Sequence, residues 1–341
     1  MEQATIIGID LAKRVFQVHG AASDGRPVLR KKVLRAQLLG LLARQPRAIV
    51  AMEACATAHF WGRAIGELGH EVRLIPPVYV KPFVRRQKND AADAEAIAEA
   101  ASRPTMRSVA VKTEDQQARA MIFRTRDLLV RQRTQLVNAL RGHLAEHGIV
   151  AAQGLSKVKV LAAALCEVTT LHPMVRDLSH RYLDHIGRLD AEIAELDKQL
   201  RQSAKDDEAS KRLQTMPGLG PITAAAIEAF APPMATFKRG RDFAAWLGLV
   251  PRQHSSGGKP RLGRTSKMGQ RDIRRLLIIG AMAIIGWAAR KGAAEGSWLA
   301  RQMAKKPRLV VAIALANKMA RSVWAMLTRG EDYRGSALAA A

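Results

Sequence analysis

Aromatic side chains are scarce, at 4% of the 341 residues, with five Trp and three Tyr. A protein that stacks many unpaired bases needs more, so contacts to duplex or to phosphate backbone fit the composition better. Cysteine is nearly absent. Cys55 and Cys166 stand alone, neither in a CxxC or other zinc-like spacing, which argues against a structural zinc site and fits a reducing cytoplasm. Long apolar runs are also lacking. The longest, LLIIGAMAIIGWAA at 276–289, is too short to span a bilayer and predicts a buried helix. The opening residues MEQATIIGID include an acid and no basic stretch, so no signal peptide is expected. Acidic residues are in deficit, 30 against 55 Lys and Arg, for a formal charge of +25. Such an excess repels itself in a compact chain unless a polyanion neutralises it. The charge is spread along the chain rather than gathered on one amphipathic helix, which favours nucleic acid over a membrane surface.

What is present has a clear order. Three short β-rich runs, 4–10 (ATIIGID), 14–19 (RVFQVH) and 27–33 (PVLRKKV), are separated by brief breaks. A helical segment at 35–45, a strand at 48–53 (AIVAME), a helix at 57–68 and a strand at 71–76 (EVRLIP) follow, then a further helical region. The order βββαβαβα predicts a mixed sheet with helices packed on it, in a domain over 1–112. Residues 113–205 read as a helical middle region. There Leu183, Ile186, Leu189, Ile193, Leu196 and Leu200 step by three or four, as in a coiled-coil seam. The seam fits an intramolecular helical hairpin or a dimer contact equally. Residues 206–330 read as a mostly α domain with a long Gly-rich basic loop, and 331–341 as a tail.

Four carboxylates stand out in the first domain. Asp10 ends the first strand and Glu53 ends the fourth, so both meet at one sheet end if those strands are neighbours. Asp90 and Asp93, in KNDAADAEAIAEAA, are three apart and share a helix face. Converging acids repel, and divalent cations are the usual reason to tolerate them, because hard ions take carboxylate oxygens and clamp phosphates. Singly, Asp90 also fits an ordinary helix N-terminus and Glu53 an ordinary strand end. An Asp closing the apolar strand IIGID has no propensity reason to be there.

Two C-terminal motifs carry charge and turns. TMPGLGPITAAAIEA (215–229) resembles a helix-hairpin-helix, in which Gly218 and Gly220 would let backbone N–H groups approach a DNA phosphate; a plain helical packing unit fits as well. Between Arg241 and Arg275 stand nine Lys or Arg against two Asp, including Arg252, Lys259, Arg261, Arg264, Lys267 and Arg271. Within that field lies Ser255-Ser256-Gly257-Gly258. By chemistry alone this is more often a phosphate-binding turn than a nucleophile, since a hydroxyl needs activation. His254 is adjacent.

The strand order with D…E…DxxD, carried by Asp10 in GIDLAK, Glu53 in AMEACA, and Asp90 and Asp93 in KNDAADAEAIA, resembles a RuvC-like ribonuclease H fold. Over nearly its full length the chain resembles the DEDD transposases of bacterial insertion sequences, relatives of the Piv and MooV invertases. The resemblance implies DNA recombination. Asp10, Glu53, Asp90 and Asp93 would hold Mg²⁺ (or Mn²⁺). Ser256, which matches the family's serine before glycine, would be a nucleophile linking to DNA, with Ser255 as the alternative. It also implies donor and target DNA as partners, a guide RNA, a dimer or tetramer of like chains, and a cytoplasmic, nucleoid-associated location. A junction endonuclease that uses water, or a non-catalytic nucleic-acid-binding protein, are the competing readings.

Overall fold

The computed structural model describes residues 3–84 and 89–334. The chain divides into two compact units, Met1–Asp115 and Gln116–Ala341.

In the first unit the elements run β1 Ile6–Asp10, β2 Val15–Ala21, β3 Pro27–Leu34, α1 Leu38–Leu42, β4 Ile49–Glu53, α2 Ala58–Glu67, β5 Glu71–Ile75, α3 Pro77–Val80 and α4 Asp90–Ser102. The five strands form one mixed sheet in the order β3-β2-β1-β4-β5. Strands β1 to β3 are antiparallel, and β4 and β5 continue parallel to β1. Ile7, Ile9, Phe16, Val18, Val50 and Met52 cover one face and bury Leu38, Leu42, Trp61 and Ile65 of α1 and α2. Each such side chain contributes about 1.5–3 kcal/mol when removed from water. On the other face Ala51 and Ile75 meet Ile97, Ala100 and Ala101 of α4. The expected helical segment at 35–45 starts as a 3-10 turn at Arg35–Gln37 and ends at Leu42, after which the chain turns through Arg44 and Gln45.

The second unit is mainly helical: α5 Glu114–Ala145, α6 Val158–Glu167, α7 Pro173–Asp206, α8 Glu208–Gln214, α9 Pro221–Phe230, α10 Gly240–Trp246, β6 Pro251–Gln253, β7 Leu262–Thr265, α11 Arg271–Lys291, α12 Trp298–Lys305 and α13 Arg308–Arg329. Helices α5 and α7 run antiparallel, since Arg126 pairs with Asp197 and Arg133 with Asp190. Ile186, Leu189, Ile193 and Leu200 are buried within this chain, so the leucine stripe already has an intramolecular partner. The apolar run at 276–289 lies inside α11 and buries Leu277, Ala281, Ile284 and Ile285. Helix α13 is long and apolar enough to cross a membrane by composition, yet Val311, Leu315, Met319 and Val323 are buried in the core beside α10 and α11. Residues 331–334, expected as tail, are docked: the Tyr333 N–H donates to Thr215 Oγ1 at 2.9 Å. The rest of the expected tail lies outside the described residues.

Candidate active site

Parallel pairing sets Ile9 opposite Met52, so the next residues, Asp10 and Glu53, leave the same end of the sheet on adjacent strands. Both charges reach the Cys55 thiol, which burial, then Glu53 and then Asp10 push above its ordinary pKa. Helix α4 supplies the other two acids. Asn89 caps it, its side-chain oxygen accepting the N–H groups of Ala91 and Ala92 at 2.8 and 2.9 Å, and Asp90 and Asp93 occupy the first turn. That end of a helix favours negative charge.

Asp10, Asp90 and Asp93 come together: each offers a carboxylate oxygen, all within 4.8 Å of one another. Two unit charges at that distance repel by roughly 1–3 kcal/mol between water-like and surface-like dielectric. Three hard oxygen donors so placed fit a magnesium- or manganese-type ion and no soft metal. Glu53, half-buried at the same sheet end, stands outside this trio.

The packing that builds the cluster rests on Gly8. It lies two residues before Asp10 on the same face of β1, and a Cβ there would stand 2.2 Å from the Ala94 carbonyl oxygen and 2.6 Å from the Ala98 nitrogen. Only a residue without a side chain lets the alanine face of α4 lie directly on the strand.

The basic loop is a β-hairpin, exposed over 251–264. Strands β6 and β7 pair antiparallel, and the Lys259 N–H donates to the Ser256 carbonyl at 3.0 Å across a two-residue turn. Gly257 and Gly258 both have positive φ, 55° and 75°, which a primed hairpin turn demands. The glycines therefore have a local reason that involves no phosphate. Ser255 Oγ accepts the Arg261 N–H at 3.0 Å, whereas the exposed Ser256 hydroxyl takes no part in this bonding. At the hairpin's base an open pocket of about 340 Å³ is lined by Arg252, His254, Arg264, Thr265 and Lys267, with no carboxylate. Lys259 and Arg261 flank the turn and Arg271 begins α11, all exposed. Gly220 caps α9 with open space around it, and a Cβ on Gly218, which sits at positive φ, would meet Gly280 and Ile284 of α11.

The family of DEDD transposases of the IS110 group matches residues 7–149, and the "Transposase IS116/IS110/IS902 family" matches 210–295. The chain is 46% identical to a Pseudomonas aeruginosa protein named "Probable family 20 transposase", covering 96% of this chain and 98% of that one. It is 43% identical to the transposase for insertion sequence element IS1328 of Yersinia enterocolitica, over 98% and 99% of the two chains. It is 39% identical to the transposase for element IS1111A of Coxiella burnetii, over 98% and 92%. The chain belongs to the IS110/IS116/IS902 transposase family. In this transposase the first match spans all four acids and the second spans Gly218, Gly220 and the serine hairpin.

Two residues, one supporting the acid cluster and one the basic hairpin, escaped the sequence reading. Gly8 carried a signal, a glycine inside an apolar strand, that was readable but not specific. Arg274 lies in the basic cluster, yet its guanidinium donates to the Leu247 and Met268 carbonyls at 2.8 and 2.9 Å and ties down the hairpin's base. Only the fold separates such a structural arginine from those facing solvent.

Proposed function

We infer that this transposase cuts and rejoins DNA at an acid-lined site helped by a serine hydroxyl. The observation that carries the reading is the convergence of Asp10, Asp90 and Asp93 within 4.8 Å at the sheet end that Glu53 shares. All four would hold Mg²⁺ or Mn²⁺, which would offset their repulsion and draw electron density from a phosphate oxygen.

Ser256 would attack the phosphorus. A serine–phosphate ester forms, one phosphodiester bond breaks, and the departing deoxyribose oxygen takes the proton. In rejoining, a DNA hydroxyl displaces the serine, so ester bonds are conserved and no outside energy source is needed. Ser255 is committed to Arg261, which supports Ser256 as the free hydroxyl. Arg252, Arg264 and Lys267 would grip the flanking backbone, with Lys259, Arg261, Arg271 and the Gly218–Gly220 turn adding contacts. The division we propose is a RuvC-like domain over 1–112, a helical middle over 113–205 and a serine-loop domain over 206–330. An element-encoded guide RNA, a dimer or tetramer, and a cytoplasmic location belong to the same reading through the family resemblance.

One observation favours a second reading. Because the hairpin turn by itself explains Gly257 and Gly258, the loop also fits a pure phosphate grip in a nuclease that uses water. The test of the acid site is strand cleavage by the purified protein in Mg²⁺. Asp10→Asn should abolish cleavage and leave DNA affinity equal or slightly higher, since it removes a negative charge. Full cleavage by Asp10→Asn would sink the reading.

A further inference from the structure

A second groove lies in the first unit, beside the capped start of α4. It has a volume of about 370 Å³ and lies between the β2–β3 hairpin and the start of α4, lined among others by Gln17, His19, Arg30, Lys32, Asn89 and Glu95. Its position relative to the acids follows from the register. Asp10 pairs with Gln17 and Gln17 with Lys32, while Gly8 pairs with His19 and His19 with Arg30. Directly opposed residues of antiparallel strands point to one face. Gly8 faces α4, so Asp10, Gln17 and Lys32 form one row on that face, and His19 and Arg30 form the row beside it. With neighbouring strands about 4.8 Å apart, the Lys32 backbone lies about 10 Å from that of Asp10.

The chemistry changes along this row. The acids stand at one end, an amide and a buried imidazole in the middle, and two exposed cations on edge strand β3. Glu95 also lines the groove and pairs with Arg30 at 3.6 Å, an exposed contact that leaves the guanidinium open to solvent. Burial, the largest influence, lowers the His19 pKa, and the charge of Glu95 opposes it. Lysines on an edge strand commonly serve to block pairing with another sheet. That role explains their exposure, but not why both share the face of the acid site, Lys32 in the row of Asp10 and Arg30 in the row beside it.

We propose that this groove holds the backbone of the DNA strand being processed, with Arg30 and Lys32 on the phosphates that lead away from the acid cluster and Gln17 between them as a neutral donor. The proposal rests on the acid site being the place where DNA is cut, and it adds the direction in which the strand leaves. Its occupant is DNA: a strand whose phosphate meets Asp10 has neighbouring phosphates within reach of Lys32, and cations there offset charge that the acids repel.

The experiment uses the full-length protein in Ca²⁺, with fluorescence anisotropy of a labelled 30-nucleotide DNA strand and an RNA strand of the same sequence across a KCl series. Arg30→Gln with Lys32→Gln is compared with Arg44→Gln with Arg47→Gln, an equal charge change on exposed residues beside the start of β4, at the opposite end of the sheet. The groove pair should weaken DNA binding about tenfold more than the control pair. It should also flatten the log–log salt slope by about 1.4 units, two phosphates of single strand. Equal effects of the two pairs, or a loss seen on RNA alone, would overturn the proposal. Cleavage by Asp10→Asn is scored separately, so failure of the acid site is distinguishable from failure of the groove. Circular dichroism of both double variants checks that either loss is not unfolding.

Discussion

Gly8 and Ala94 are in direct contact across the sheet–helix interface: a methyl group on Gly8 would stand 2.2 Å from the Ala94 carbonyl oxygen. That contact sets how closely the first turn of α4, with Asp90 and Asp93, approaches Asp10 at the end of β1. Gly8→Ala should therefore destabilise the protein by at least about 1–3 kcal/mol in urea denaturation, the usual cost of overpacking. Cleavage should fall with it. Gly66→Ala, on helix α2 with nothing within 4 Å of an added Cβ, should be neutral or stabilising by about 0.5–1 kcal/mol. Equal stability of Gly8→Ala and the parent would contradict this packing account.

The hairpin turn makes a separate demand. Gly257 and Gly258 sit at positive φ, where asparagine is tolerated and valine is not. Gly257→Asn should retain most strand-cleavage activity, while Gly257→Val should lose it with little change in melting temperature, because the hairpin is exposed and outside the core. Wild-type turnover by the valine variant would show that the turn's shape does not matter.

Not every arginine in the basic cluster should behave alike. Arg264→Ala and Lys267→Ala should each flatten the salt slope of DNA binding by about one unit and leave folding unchanged. Arg274→Ala removes donors from two carbonyls at the hairpin's base, so it should chiefly lower the melting temperature. Thermal melts and salt titrations of the three variants test this division; identical behaviour would argue against it.

Glu228, on α9, gives a pH prediction. Burial, then the charge of Asp207, raises its pKa above 4.5, and Arg119 opposes the shift. A carboxyl raised in the folded state favours folding most fully below its unfolded value, and that contribution is lost as pH rises through the folded value. Glu228→Gln should therefore raise the melting temperature at pH 8 relative to the parent and make little difference at pH 4. The opposite ordering would place Glu228 in a favourable ion pair.

Much of the first unit was legible in the sequence. Short β-rich runs bounded by turn residues mark β1 to β5, and an Asp and a Glu closing two of them point to a shared end of the sheet. What local pattern does not encode is close approach. The Gly8–Ala94 contact joins residues 86 positions apart in the chain. The glycines at 257 and 258 were legible as special but ambiguous, since a tight turn and a phosphate contact ask for the same residue; the hydrogen bond from Lys259 to Ser256 shows the turn. The leucine stripe of α7 was equally ambiguous, because a stripe does not name its partner. The ion pairs to Arg126 and Arg133 supply one within the chain.

The measurement that bears most directly on the central claim is to trap the protein on cleaved DNA and map the attached residue by mass spectrometry. The account predicts a phosphodiester-linked adduct at Ser256, lost in Ser256→Ala and in Asp10→Asn, and retained in reduced amount in Ser255→Ala, whose hairpin has lost its bond to Arg261. An adduct mapped to Ser255 would transfer the role to that residue. Cleavage by Ser256→Ala at the parent rate with no adduct would contradict the serine mechanism, leaving the hairpin as a phosphate grip and the acid site as one that uses water.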